Sequence, residues 1–319
     1  MRNILCVTLI ALLGGCTSTS VTEKYQDKRN DIINVKDKVI EFETGNVLIG
    51  SVSRLYMSNK CLLIADHKSV DKQIHIFNKN DFSYLTSIGN FGEGPEEITV
   101  MGCLAIDEAH HQLYVSDHAK QKIFSYDMDS VMVDSLYKPQ VKTAMNETLF
   151  PSEYQYINDT LSIAVLIKPT STSTFNQFLG RWNMNTGEMI PMKYTHPDIQ
   201  KKRITFAASE KAGIYVECYT RHDLMTICSL DGELLYNIYG PDWDGGNGNK
   251  LQSFGTVMIG NDKIFVSYCG EDYARDSFPT KILVFDLEGN YLKTLETGYK
   301  ISDCCYDSFN NRIILSFND

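Results

Sequence analysis

The sequence LLIAD at residues 62–66 decides the fold, because five similar runs follow it at nearly constant spacing. They are LYVSD from Leu113, LSIAV from Leu161, IYVEC from Ile214, IFVSY from Ile264 and IILSF from Ile313. The starts are 51, 48, 53, 50 and 49 residues apart. A period of about 50 residues is typical of propeller blades, each a sheet of four strands. Six phased runs therefore predict an all-β, six-bladed β-propeller.

A second pattern follows the same phase. Each of the first five runs is followed by an apolar strand and a turn, as in ILVFDLEGN (Ile282–Asn290). Gly and Asn in such turns accept positive φ and favour tight hairpins. We therefore expect four antiparallel strands in a blade, with the phased run as the second strand.

The last blade needs a partner from elsewhere in the chain. Its phased run ends at Phe317, so no third or fourth strand can follow. The segment INVKDKVIEFE (Ile33–Glu43) is rich in β-forming residues. We expect it to close the last blade and cover an exposed sheet edge.

The N-terminus has the pattern of an exported lipoprotein. The apolar run Ile4–Leu13 follows Arg2 and is too short to span a bilayer, which needs about 20 residues. It ends in Leu13-Gly14-Gly15-Cys16, which resembles the bacterial lipobox and implies lipidation of Cys16. A plain signal peptide is the alternative. We expect a signal peptide at 1–15, a polar tether at 16–32 and the propeller at 33–319.

Composition excludes several classes of function. The net charge of −10 argues against nucleic acid as a partner, since phosphate binding needs a basic surface. No two cysteines are spaced as CxxC, so a zinc ribbon or thioredoxin-like site is unsupported. Seven cysteines lie beyond Cys16, mostly in apolar runs, and are expected to be buried thiols.

The lipobox, the ~50-residue blades and the motif Gly92-Glu93-Gly94-Pro95-Glu96-Glu97 resemble those of six-bladed, TolB-like or NHL-like propeller lipoproteins of Bacteroidota. The family pattern is GxGPGE, and here Glu96 replaces its last Gly. The resemblance implies a fold and an envelope location but no reaction. It is consistent with an outer-membrane lipoprotein that faces the periplasm, since no acidic run follows Cys16.

The ends of strands two and four place polar residues on one face of the disk, where propellers usually bind ligands. The candidate ligand-binding residues there are His67, Glu93, Glu97, His118, Arg221, His222, Trp243, Tyr268, Asp272 and Arg275. Asp66 and Asp117 precede two of these histidines. Adjacent strand residues point to opposite faces, so we expect both aspartates to cap turns and not to form Asp-His pairs.

Most catalytic motifs are absent, including GxSxG, the P-loop and HExxH. The sequence therefore assigns no catalytic residue, no metal ligand and no cofactor. The loop GPDWDGGNGNK (Gly240–Lys250) has the composition of a calcium loop but not the order of its ligands, and its Trp243 could instead stack on a sugar or peptide.

We expect a monomeric binding or scaffold module, anchored to the membrane by lipid, for a glycan, a peptide or an envelope protein. The alternatives are a propeller-type carbohydrate lyase or hydrolase and a regulatory partner in a membrane complex.

Overall fold

The computed structural model describes residues 22–248, 251–275 and 277–317 of the chain. It begins with two three-residue strands, β1 (Glu23–Tyr25) and β2 (Ile32–Asn34), and a 3₁₀ turn at Lys36–Lys38. The strands that follow form six antiparallel sheets in sequence order, which we number as blades one to six.

Blades one to three each have four strands in the order of the chain. They are β3 (Ser53–Met57), β4 (Cys61–Asp66), β5 (Lys72–Asn78) and β6 (Tyr84–Asn90); β7 (Met101–Asp107), β8 (Gln112–Asp117), β9 (Lys122–Asp127) and β10 (Gln140–Ala144); and β11 (Phe150–Asn158), β12 (Leu161–Pro169), β13 (Phe175–Trp182) and β14 (Met189–Pro191).

Blades four and five repeat this order, and blade six has two strands in the described part of the chain. They are β15 (Ile204–Ser209), β16 (Ile214–Tyr219), β17 (Leu224–Ser229) and β18 (Leu234–Tyr239); β19 (Leu251–Gly260), β20 (Lys263–Asp272), β21 (Lys281–Asp286) and β22 (Tyr291–Glu296); and β23 (Ile301–Asp307) and β24 (Arg312–Phe317). A 3₁₀ turn at Tyr273–Arg275 follows β20.

The phased runs are the second strands of the blades, as predicted. Every residue of β4 and β16 is buried. A strand covered on both faces needs apolar residues at successive positions and not at alternate ones. The propeller fold predicted from the spacing is therefore confirmed.

Six apolar clusters hold the blades together, one at each interface between neighbours. Ile74 of blade one packs with Leu113 of blade two, and Trp182 of blade three packs with Tyr114 of blade two. The cluster that closes the ring joins Leu62 of blade one to Ile314 of blade six. All seven described cysteines are buried, unpaired thiols, as expected.

The closure of blade six differs from the expectation. Within the described residues, β23 and β24 pair only with each other, so Ile33–Glu43 adds no strand to this sheet. The segment instead reaches the ring closure through a side chain: Phe42 packs on its apolar cluster and stacks on Phe82 at 4.0 Å. Val47 and Ile49, just beyond the segment, pack on the same cluster. Lys79 of blade one also pairs with buried Asp307 of blade six at 3.2 Å.

The N-terminal strands extend two other blades. β1 pairs in parallel with β18 of blade four, and β2 pairs in parallel with β22 of blade five. The predicted tether at 16–32 is therefore too long, because the chain joins the propeller at Glu23. Glu23 accepts hydrogen bonds from Tyr239 at 2.5 Å and Asn237 at 3.0 Å. We call residues 23–50 the strap, since they contact blades four, five, six and one.

Blade two departs from the expected hairpin. A short helix, α1 (Met128–Val133), follows β9 where a tight turn to the fourth strand was predicted. Asp127 caps it by accepting a 2.7 Å hydrogen bond from the Ser130 amide. The fourth strand of this blade is accordingly displaced to Gln140–Ala144.

We predict that Arg29→Met destabilises the propeller. The Arg29 guanidinium lies 2.8 Å from the fully buried Asp223 carboxylate, and its own side chain is almost completely buried. Removing one partner of a buried ion pair leaves an uncompensated charge and costs about 3–5 kcal/mol. The free energy of unfolding in urea measures this loss.

The control is Arg275→Met, because Arg275 pairs with Glu271 at 3.5 Å on the surface. We expect it to change the free energy of unfolding by less than about 0.5 kcal/mol. Equal stability of the two variants would show that the strap does not hold blades four and five together.

Candidate functional site

A cavity of about 1250 Å³ lies along the axis of the ring. All six innermost strands line it, with Arg54, Glu153, Thr205, Thr256 and Asp303 among the polar side chains. Arg54, Thr205 and Asp303 stand within the first three residues of their strands, so they lie toward the face that carries the 2–3 loops and the crossovers between blades. We call this the upper face.

Side chains in the cavity also join neighbouring blades. Asp303 of blade six accepts hydrogen bonds from the Leu55 amide at 2.8 Å and from Thr256 Oγ1 at 2.6 Å. Gln155 exchanges two 2.8 Å hydrogen bonds with the main chain of Ala208. Thr205 donates to the Gly255 carbonyl at 2.6 Å. These bonds satisfy main-chain groups on strand edges that have no strand partner.

One ion pair crosses the cavity. The Arg54 guanidinium of β3 lies 2.7 Å from the Glu153 carboxylate of β11, so it joins blades one and three across the axis. The two side chains are 48% and 36% exposed. Partly exposed pairs contribute only about 0–1 kcal/mol, so their hydrogen-bonding groups can be redirected to a ligand at small cost.

Two of the predicted residues, His67 and His118, stand at the mouth of this cavity. His67 Nδ1 lies 3.2 Å from the Met101 carbonyl, which leaves Nε2 as an acceptor. Nε2 of both histidines is shielded from solvent without a hydrogen-bond partner among the described residues. A Cβ on Gly102 would stand 2.5 Å from His118 Nε2, so only glycine admits this ring. The sequence placed both histidines correctly on the upper face.

Asp66 and Asp117 act as caps, as expected. Asp66 accepts hydrogen bonds from the amides of Gly50 at 2.8 Å and Lys68 at 2.9 Å. Asp117 accepts four amide hydrogen bonds in the same way, from Thr99, Val100, Ala119 and Lys120. Asp66 fastens the end of the strap to the 2–3 turn of blade one, and Asp117 fastens the crossover from blade one to the 2–3 turn of blade two. Neither is free to orient the histidine beside it.

The Gly92–Glu97 loop is the crossover between blades one and two, and side-chain hydrogen bonds hold it in place. Glu97 folds back and accepts a 2.8 Å hydrogen bond from the Gly94 amide. A Cβ on Gly92 would stand 2.0 Å from this carboxylate, which explains a glycine there. Lys120 donates to the carbonyls of Gly94 and Glu97 at 2.6 and 2.5 Å. Of the two predicted contact residues in this loop, Glu93 is exposed and Glu97 is already engaged.

Trp243 and His222 lie together on blade four, with ring centroids 5.9 Å apart. Trp243 also packs on Tyr239 at 5.0 Å and on buried His196 at 5.7 Å. The indole is thus partly buried in an aromatic cluster and does not stand free for stacking. Burial lowers the pKa of His222, and the nearby Asp244 opposes this shift.

The remaining predicted residues lie on the upper face of blades four and five, and each has a partner. Arg221 stacks on Tyr273, with 3.0 Å between Cζ and the ring centroid. Tyr268 is buried, with its hydroxyl 3.4 Å from Asp223. Asp272 accepts from the Ala274 amide at 2.9 Å, and Arg275 pairs with Glu271. The predicted lipidation site, Cys16, lies outside the described residues.

Sequence reasoning missed the polar residues inside the cavity: Arg54, Glu153, Thr256 and Asp303. A signal was present, since Arg54, Glu153 and Thr256 each stand eight residues before their phased run. A residue eight positions before a phased run lies on the innermost strand and faces the axis, so a polar side chain there lines the cavity. No catalytic motif marks these positions.

A group of potential metal ligands lies on the opposite face. Asp107, His110 and Asp159 have ligand atoms within 4.8 Å of one another. His110 Nδ1 is 2.9 Å from the Asp107 carboxylate, which raises the pKa of His110. Asp107 also accepts from the Tyr114 hydroxyl at 3.2 Å, so hydrogen bonds within the group account for its geometry.

The chemistry available in the cavity suits binding. Burial raises the pKa of Asp303, but both its oxygens accept hydrogen bonds that join blades. Glu153 is paired with Arg54. Both carboxylates therefore act as hydrogen-bonding groups in the cavity.

The ring of six sheets around this cavity defines a six-bladed β-propeller. Residues 17–177 match the DUF5128 family, described as a 6-bladed beta-propeller, and the chain belongs to that family. No curated protein matches the sequence.

Solved structures show the same fold at low sequence identity. A protein from Bacteroides fragilis NCTC 9343, described as exported, aligns with a TM-score of 0.53 and 14% identity over 87% of this chain and 80% of its own. A member of the DUF4221 family from Bacteroides vulgatus ATCC 8482 gives 0.56 and 9% over 83% and 86%. U3-55K gives 0.52 and 11% over 83% and 72%.

We predict that stability falls as the pH drops below about 6.5, the unperturbed pKa of histidine. Burial lowers the pKa of five histidines: His67, His75, His118, His196 and His222. The unfolded chain therefore takes up protons first, and the folded state loses stability until the pH passes its own lowered pKa values. The melting temperature at pH 7.5 and 5.5 measures the effect.

His110 acts in the opposite direction, since its raised pKa favours the folded state at low pH. We expect the destabilising effect of the five lowered pKa values to outweigh the stabilising effect of His110. A variant with His67→Asn and His118→Asn should lose less stability between the two pH values. A melting temperature that is constant or rises toward pH 5.5 would contradict the prediction.

Proposed function

We propose that this protein is a lipid-anchored envelope propeller of the TolB-like or NHL-like type that binds a ligand at the upper mouth of its central cavity. The observation that carries the proposal is the Arg54–Glu153 pair, which crosses a cavity of about 1250 Å³ and remains partly exposed. Binding sites are typically concave, with a few well-placed polar groups in a largely apolar lining.

The geometry favours a polar ligand. Arg54 offers a planar set of N–H donors, and Glu153 offers two acceptor oxygens beside it. His67 and His118 stand at the same mouth, but their Nε2 atoms are shielded from solvent, so the accessible polar groups are those of Arg54 and Glu153. Because the blades are joined around the cavity, these groups are held in place before the ligand arrives, which lowers the entropy cost of binding.

The anchor would keep the propeller close to the membrane. If Cys16 is lipidated, six residues separate it from the start of β1 at Glu23. The seven steps from Cys16 to Glu23 span at most about 25 Å, at 3.3–3.6 Å per step. The edge of blade four, where β1 pairs, would then stay near the bilayer. None of the helices in the described part of the chain has the length and apolarity of a membrane span.

We predict that Cys16→Ser releases the protein from membranes. One acyl-bearing residue is the only anchor that this proposal supplies, and without it the propeller has no lipid to insert. Fractionation of cells and labelling with palmitate measure the change. The matched control is Cys6→Ser, which leaves the lipobox intact and should remain in the membrane fraction. Equal membrane association of the two variants would contradict the anchor.

The cavity is tested by ligand binding. Wild-type mature protein is applied to an array of bacterial and host oligosaccharides and to synthetic peptides from envelope proteins. We predict that Arg54→Gln and Glu153→Gln each weaken the strongest interaction by about tenfold or more, the effect of losing a charged hydrogen bond to a ligand.

Arg181→Gln is the matched control, because Arg181 pairs with Asp231 at 3.0 Å outside the cavity and is also partly exposed. It should bind as the wild type does. Binding that survives both cavity substitutions, or wild-type protein that binds no probe, would contradict the proposal.

A further inference from the structure

Two arginines start from one corner of the upper edge of blade four and extend toward the neighbouring blades on either side. Arg203 comes directly before β15, and Arg221 follows β16 by two residues. Thr220 joins them, since its amide and hydroxyl both lie within hydrogen-bond distance of the Arg203 carbonyl, at 2.8 and 3.2 Å. Both side chains therefore start from the same corner of the blade.

Each arginine is paired with an aromatic ring of a neighbouring blade. The Arg203 Cζ lies 5.2 Å from the ring centroid of Phe175 in blade three, and the Arg221 Cζ lies 3.0 Å from that of Tyr273 in blade five. These rings are 43% and 49% exposed. Contact with a ring face orients a guanidinium and leaves N–H groups on its edge available for a planar oxyanion.

Neither guanidinium has an acidic partner in the described ranges of the chain. Arg203 donates one hydrogen bond, to the Lys202 carbonyl at 3.0 Å. Other arginines behave differently: Arg275, Arg54 and Arg29 all pair with a carboxylate. In a chain of net charge −10, two such arginines together form a local site of positive charge.

This site borders the central cavity. Thr205, two residues after Arg203, is among the residues that line the cavity. A ligand held by the two arginines can therefore extend into the mouth, where hydroxyl side chains such as Ser53, Ser152 and Thr256 line the wall. The Arg54–Glu153 pair offers adjacent donors and acceptors that match neighbouring hydroxyls of a sugar ring.

We propose that Arg203 and Arg221 each bind a carboxylate or sulfate-ester group of one acidic oligosaccharide, whose remaining part lies in the cavity mouth. The inference rests on the proposed function and adds the charge and class of the ligand. Anionic groups spaced along a sugar chain suit the site, because the two guanidiniums lie against different neighbouring blades.

The test uses the full mature protein and four probes in isothermal titration calorimetry: a galacturonic acid hexasaccharide, its carboxyl-reduced neutral form, a chondroitin sulfate hexasaccharide and hexaglutamate. We expect at least one acidic oligosaccharide to bind, and its neutral counterpart to bind about tenfold more weakly or worse. The double variant Arg203→Gln/Arg221→Gln should lose about tenfold or more in affinity for the acidic probe. The affinity of Arg203→Lys/Arg221→Lys should lie between those of the wild type and the glutamine variant, since lysine keeps the positive charge but lacks the planar guanidinium.

The matched control is Arg275→Gln, which removes a paired arginine from the same face and should leave affinity unchanged within about twofold. Circular dichroism and the melting temperature confirm that each variant is folded. Equal binding of acidic and neutral forms, no binding of either acidic oligosaccharide, or an unaffected double variant would overturn the proposal. Tighter binding of hexaglutamate than of any oligosaccharide would overturn the assignment to a glycan.

The Arg54→Gln variant separates this inference from the function on which it rests. If binding of the acidic probe needs Arg203 and Arg221 but not Arg54, the anion site is supported and the proposed binding at the cavity is contradicted. If the neutral probe binds and its binding needs Arg54 alone, the cavity is supported and the anion site is overturned.

Discussion

The innermost strand of each blade has one edge that no other strand pairs with, and the structure depends on how those edges are satisfied. Asp303, Gln155 and Thr205 reach across blade boundaries to main-chain groups. Each bond satisfies a polar group that would otherwise face the cavity alone, and each also fixes the position of the next blade. The axis of the molecule therefore both fastens the blades together and holds a cavity of about 1250 Å³.

This double use divides the polar residues of the cavity into two sets. Asp303 accepts hydrogen bonds from Thr256 and from the Leu55 amide. These bonds join blades, so Asp303 and Thr256 cannot turn to a ligand without breaking contacts between blades. Arg54 and Glu153 hold only one another, across the open space. In a binding protein of this kind, the first set keeps the blades rigid and the second set contacts the ligand.

The sequence predicted the fold well because a buried second strand has a compact local pattern that repeats in every blade. It could not predict the partners of Glu23 or Arg29, since those residues lie in short, mostly exposed stretches and find their partners about 200 residues away. The same reason explains why Arg54 and Glu153 were missed, because they are 99 residues apart and converge only when the ring closes. By contrast, His67 was placed correctly, since the end of a recognisable strand fixed its face of the disk.

The strap has a consequence for the order of folding. Its first strand is made first but pairs with Asn237–Tyr239, and its second pairs with Thr294–Glu296. Blades one to three can form from consecutive segments while the two strands of the strap still lack their partners in blades four and five. The strap is thus synthesised before the blades but is among the last segments to become ordered. A nascent propeller truncated before blade five therefore has an unpaired strap that quality-control proteases can cleave.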